Sequence, residues 1–219
     1  MLWKFAKKAG VSVGDFTFAR TFIMFILVFP LLLCTGYRPC KDMVWRLFPL
    51  VVARAFMGTM CFIGVTVSLT MMPLSLTTII FNLAPFWGSI MACLIHKESI
   101  SRVEYVAMLI SFAGVVGMVL GPSDNQDWPQ LTLGIVIGLI TSMGYAANNV
   151  MNRGLKKVHF SVVLFYHTLI GSILSLTIFG SNSLINCTPF LSNSKDGWII
   201  ILISGLIDFV CVASMIIAY

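Results

Sequence analysis

Charge is what this sequence has least of. Asp, Glu, Lys and Arg make up 10% of its 219 residues, where a soluble domain carries roughly 25%. Hydrophobic residues reach 58%, and no water-soluble fold of this size could cover them with so little polar surface. Disorder is excluded on the same ground, because disordered chains are polar and poor in aromatics. Metal and disulfide chemistry lack their residues as well. The six cysteines form no CxxC pair: Cys34, Cys61, Cys93 and Cys211 lie in apolar runs, and Cys40 and Cys187 in loops, so they read as small hydrophobes. His96, His159 and His167 stand in separate segments without metal spacing. There is no P-loop, and no serine-hydrolase elbow is expected. No catalytic residue, cofactor or metal is assigned. Lys4, Lys7 and Lys8 precede the first apolar run by too long a gap for a cleavable signal peptide.

What the chain does have is apolar length. Its mean hydropathy is +0.97, and seven stretches approach the roughly 20 residues a spanning helix needs. They run over about Thr17–Thr35, Leu47–Leu69, Pro73–Ile95, Val103–Leu120, Leu131–Met151, Phe160–Gly180 and Gly197–Tyr219. Barrel strands alternate over about ten residues, so the expected fold is all-α, a polytopic bundle of membrane helices. Ser101-Arg102-Val103-Glu104 reads as a capping box opening the fourth helix, and Gly121-Pro122 as its stop.

The net charge of +6 points to anionic lipid rather than nucleic acid, because the cations sit in short loops. Loops 36–46, 96–102 and 152–159 together hold Arg38, Lys41, Arg46, Lys97, Arg102, Arg153, Lys156 and Lys157. The opposite side holds Lys195 and the N-terminal Lys4, Lys7 and Lys8. The first side is therefore expected to be cytoplasmic. Asn186-Cys187-Thr188, a glycosylation acceptor by pattern, falls on the other side.

The chain also resembles itself. Phe18-Ala19-Arg20-Thr21 lines up with Phe165-Tyr166-His167-Thr168, each following a Lys-Lys pair, and Trp45 precedes Phe56 as Trp198 precedes Phe209. Five helices separate the equivalents, and an odd number reverses orientation, so the halves read as inverted repeats. In this register residues 1–121 are a first repeat lacking its first helix, and 122–219 a second lacking its last two. Ten helices would complete the pattern, and the chain is expected to be truncated at both ends.

The order and spacing of Arg54-Ala55-Phe56-Met57-Gly58, Met72-Pro73-Leu74-Ser75, Leu83-Ala84-Pro85-Phe86, Lys97-Glu98-Ser99-Ile100-Ser101 and Gly114-Val115 carry a family resemblance. The chain resembles the EamA-domain membrane proteins of the drug/metabolite transporter superfamily, and is most similar to their eukaryotic solute-carrier branch. The resemblance implies ten helices in two inverted repeats and the movement of small organic solutes.

Polar groups inside the hydrocarbon region need a partner, a cavity or a function, and they supply the candidate solute-binding residues. On helix 73–95, Ser75, Thr78, Asn82, Ser89 and Cys93 share one stripe at 100° per residue. Ala84, Gly88 and Ala92 form a small-residue ridge on another face, spaced for packing. Pro85 is expected to kink this helix. Asn82 and Ser89 read as cavity lining, against the bland alternative of helix-to-helix glue. On helix 131–151, Gly134, Gly138, Ser142 and Ala146 suit close packing. Tyr145, Asn148 and Asn149 could hydrogen-bond a solute, or serve as interfacial anchors. Arg54 and Asp208 are intramembrane charges. Arg54 reads as the binder of an anionic solute and Asp208 as a coupling or gating acid, with two alternatives: an Arg54–Asp208 ion pair, or Arg54 snorkelling to the surface. Arg20 reads as an anchor and His167 as a hydrogen-bonded packing residue.

The leading expectation is thus a secondary transporter of a small organic solute working by alternating access. A non-transporting scaffold or regulatory subunit, or an inactive truncated copy, is the competing one. The implied partners are the bilayer, a small solute that could be anionic and, as an open option, a second copy in a homodimer.

Overall fold

A computed structural model of the chain describes residues 11–39, 41, 44–96, 101–119, 128–156, 158–180 and 195–217. All regular structure among them is helical. In chain order the helices are α1 (Val13–Thr35), α2 (Phe48–Met71, entered through a 3₁₀ turn at Trp45–Leu47), α3 (Leu74–Phe81), α4 (Ala84–His96), α5 (Arg102–Val119), α6 (Trp128–Gly154), α7 (Phe160–Ser175) and α8 (Lys195–Ile217). A π-helical turn, Leu176–Gly180, continues α7. Six spans are long and apolar enough to cross a membrane, with α3 and α4 together making one of them. The remaining helix, α5, carries a shorter apolar stretch, Tyr105–Gly114.

Local chemistry explains where the ends fall. α1 begins a turn before the expected Thr17 because Ser12 caps it: its Oγ accepts the Asp15 amide at 3.0 Å, and Asp15 complements the positive end of the helix. It ends where Gly36 adopts φ 71° and donates its amide to the Leu32 carbonyl at 2.9 Å, a left-handed cap that favours glycine. α6 starts ahead of Leu131 because Pro129 occupies its first turn, where a missing N–H breaks no intrahelical bond. The Ser101 carbonyl accepts the Tyr105 amide at 3.0 Å at the start of α5. The Glu104 side chain, the Gly121-Pro122 stop and the Asn186 sequon lie outside the described residues.

The single helix expected over 73–95 is two helices. Asn82 donates to the Thr78 carbonyl at 3.0 Å and Leu83 to that of Ile80 at 3.2 Å, so the ladder tightens and stops. A new helix then opens at Ala84, with Pro85 in its first turn. Proline is tolerated there and not in a helix interior, which is why a break replaces a kink.

Packing divides the chain into two compact units: Met1–Thr59 with Met151–Tyr219, and Met60–Val150. The boundary expected at residue 121 rests on the repeat register and is a different division from this one, which follows contacts. In the first unit α1 packs most extensively on α7, and also on α8. Val28, Leu32 and Leu164 are buried there against Phe209 and Val212. α8 comes close to α1 at Gly205, where a Cβ would lie 2.9 Å from the Ile23 Cγ2. A second cluster joins Val51 to Leu155, Val158, Val162 and Val163.

In the second unit Met72, Leu76, Ile80 and Leu83 pack with Leu131. Gly134 and Gly138 meet Met71 and Met72, with a Cβ at Gly138 only 3.0 Å from the Met72 methyl carbon. That ridge packs as its spacing predicts. The one on α4 does so only in part: Ala92 is buried, but a Cβ at Gly88 would meet nothing within 4 Å among the described residues. The buried face before the break is instead Leu76, Thr77 and Ile80. Lipid tails are as apolar as leucine, so close packing and hydrogen bonds hold such helices together rather than the hydrophobic effect between them.

Candidate functional site

The first unit holds two arginines in different electrostatic situations. Arg20 on α1 is buried, and its Nη1 donates to the Asp208 Oδ2 on α8 at 2.7 Å. The Ser204 hydroxyl, one turn earlier on α8, lies 3.4 Å from the same oxygen. Asp208 is therefore paired, but with Arg20 and not with Arg54. Arg20 is not a surface anchor, because a carboxylate meets it inside the helix layer. The approach at Gly205 brings α1 and α8 within reach of this bond.

Arg54 is 1% exposed, the largest fully buried side chain among the described residues. Its Nε donates to the Asn152 Oδ1 near the end of α6. No carboxylate lies within 4 Å of it among the described residues, and its Nη1 is buried without a hydrogen-bond partner. The snorkelling alternative fails, since the guanidinium finds its acceptor inside the protein rather than at the surface. His167, expected to be hydrogen-bonded, has a buried Nδ1 with no partner among the described residues. The fit of α1 and α2 to α7 satisfies packing there instead: a Cβ at Gly171 would lie 3.0 Å from the Thr59 hydroxyl and 3.7 Å from the Thr21 methyl.

The second unit places Asn82 and Ser89 on one cavity of about 290 Å³, shared with Pro85 and with Ser111 of α5. It lies at the helix break, where Asn82 caps the end of α3 and α4 departs. Three uncharged polar groups on an otherwise apolar wall can orient a solute by hydrogen bonds and offer no charge. Tyr145 of α6 sits edge-on to Phe81, ring centroids 6.4 Å apart. Asn148 is buried and Asn149 half-buried, each with an Oδ1 that lacks a hydrogen-bond partner. Buried amide oxygens are seldom left so.

Gly10-Val11-Ser12-Val13-Gly14 has the spelling of a nucleophile elbow. Ser12, however, caps α1 through its Oγ, and no strand exists among the described residues to build the strand–turn–helix such an elbow needs.

Compared with known families, residues 1–120 match the EamA-like transporter family. The chain belongs to that family. No curated protein and no solved structure matches it. An EamA-like chain with six spans of membrane length among its described residues is a multi-pass membrane protein of the transporter type. Its family is one of transporters and not of enzymes. Among the described residues, no group of three or more His, Cys, Asp or Glu side chains could hold a metal.

Proposed function

We propose that the protein is a secondary transporter that carries a small organic anion across the membrane by alternating access of two inverted repeats. One observation carries this reading: Arg54 lies within a membrane-length helix at 1% exposure with an amide, not a carboxylate, as its partner. A buried cation without a counter-charge is expensive, and ionisable groups inside membranes mark solute pathways by default. A solute anion that reaches the orphan Nη1 would supply the missing charge. In the second unit, Asn82 and Ser89 on their own cavity, with Tyr145, Asn148 and Asn149, serve as uncharged hydrogen-bonding groups for solute. Asp208, held by Arg20, serves as the acid whose pairing changes as access alternates.

The test is uptake into liposomes containing the purified protein, screened with di- and tricarboxylates, sugar phosphates and nucleotide sugars, and with organic amines as controls. At least one anion is expected to move. Arg54→Gln should reduce its uptake at least about a hundredfold, the scale of about 3 kcal/mol for a hydrogen-bonded buried charge. Uptake of amines alone, or unchanged anion uptake by a well-folded Arg54→Gln protein, rules the proposal out.

A further inference from the structure

Asn152 has two ends, and only one is used by Arg54. Its Nδ2 has no hydrogen-bond partner, the residue is 4% exposed, and it lines a cavity of about 310 Å³ at the joint between α6 and α7. Leu155, Val158 and Val163 supply apolar wall, while Lys156 and His159 supply polar rim. No acidic side chain is among the described lining residues.

The histidine is held in place. Its ring stacks on Tyr37 with centroids 3.7 Å apart. Its Nδ1 faces the Ser161 amide at 3.4 Å, which leaves the neutral ring's proton on Nε2. His159 also caps α7, so the positive end of that helix lies at the cavity.

We propose that this cavity binds a phosphate monoester carried on an apolar body, a ligand additional to the solute of Arg54. Three donors on three separate side chains, Asn152 Nδ2, Lys156 Nζ and His159 Nε2, suit the three terminal oxygens of a phosphate. A planar carboxylate is better met by one bidentate arginine. The apolar wall accepts an alkyl chain beneath the charged group. Basic pockets between membrane helices are where phospholipid headgroups bind, and a soluble organic phosphate presents the same group.

The full-length protein is reconstituted in phosphatidylcholine nanodiscs and titrated with hexyl phosphate, with hexanol as control and tryptophan fluorescence as the readout. Saturable binding of hexyl phosphate is expected, weakened about tenfold by Lys156→Gln, an exposed position that tolerates the change. Arg153→Gln removes the same charge one turn away, outside the cavity lining, and should leave the affinity unaltered. Phosphatidic acid added to the nanodiscs separates the sources. Competition with hexyl phosphate assigns the cavity to a lipid headgroup, and binding without competition assigns it to a soluble phosphate. Hexyl phosphate binding no tighter than hexanol overturns the proposal, as does equal weakening by both substitutions, the mark of diffuse surface charge. Neither result bears on anion uptake through Arg54, so the two proposals stand or fall separately.

Discussion

Removing both members of the Arg20–Asp208 pair should destabilise the protein little more than removing either one alone. The bond is 2.7 Å long, and the two side chains are 7% and 32% exposed. Breaking a buried pair by deleting one partner costs about 3–5 kcal/mol, because a charge remains behind without compensation. With a third of Asp208 accessible the lower end applies, about 3 kcal/mol, for Asp208→Asn and for Arg20→Gln alike. The double variant leaves two neutral amides that can bond each other, so its loss should be near that of one single variant, not their sum. The implied coupling is about 3 kcal/mol, well above the roughly 0.5 kcal/mol scatter expected for independent sites. Unfolding by sodium dodecyl sulfate in mixed micelles, followed by far-UV circular dichroism, gives the four stabilities the cycle requires. Losses that add to within that scatter would show that the two charges do not stabilise each other.

Asn152→Asp should place a carboxylate on the Arg54 Nε in place of the amide, raising stability in the same unfolding assay by about 1–2 kcal/mol. It should also abolish anion uptake, since the counter-charge would then be permanent; raised stability with intact uptake separates Arg54 from the solute. Gly64→Ala should destabilise by about 1–3 kcal/mol, because the added Cβ would fall on the Thr141 hydroxyl. A Gly64→Ala protein as stable as the parent would mean that α2 and α6 are not pressed together there.

Helices in this chain were legible because bilayer thickness imposes a length that apolar runs display directly. Their ends were less so. Ser12 lies in a short polar stretch that a search for apolar runs passes over, yet its hydroxyl decides where α1 begins. Pro85 announced an interruption but not its form, which depended on Asn82 and Leu83 closing the preceding helix. The polar positions of the candidate site were also visible, since each stands out against apolar neighbours. Their partners were not. Arg20 and Asp208 are 188 residues apart in the chain, and the alternative that paired Asp208 with Arg54 had no information on which helices touch. Gly205, an unremarkable small residue in sequence, marks where α8 and α1 meet. Gly88 had the spacing of a packing residue, yet a Cβ there would meet nothing within 4 Å among the described residues, because spacing defines a face and not what covers it.

The contrast between the two arginines bears on function more than either does alone. Both lie within membrane-length helices of one unit, where an uncompensated guanidinium is expensive. Arg20 shows that this chain can place a carboxylate opposite an arginine when the fold requires neutrality. At Arg54 it places Asn152, which accepts one hydrogen bond, contributes no charge, and leaves the Nη1 unmet. If Arg54 only held α2 to α6, an aspartate at 152 would do so more strongly, and the amide would be the inferior choice. An amide is the better choice where the positive charge must stay available to a ligand that comes and goes, because a resident carboxylate would compete with it throughout the cycle. Under the proposed transport reading, an amide at position 152 forgoes stability to keep an anion site reversible, and the Asn152→Asp protein tests this by moving stability and uptake in opposite directions.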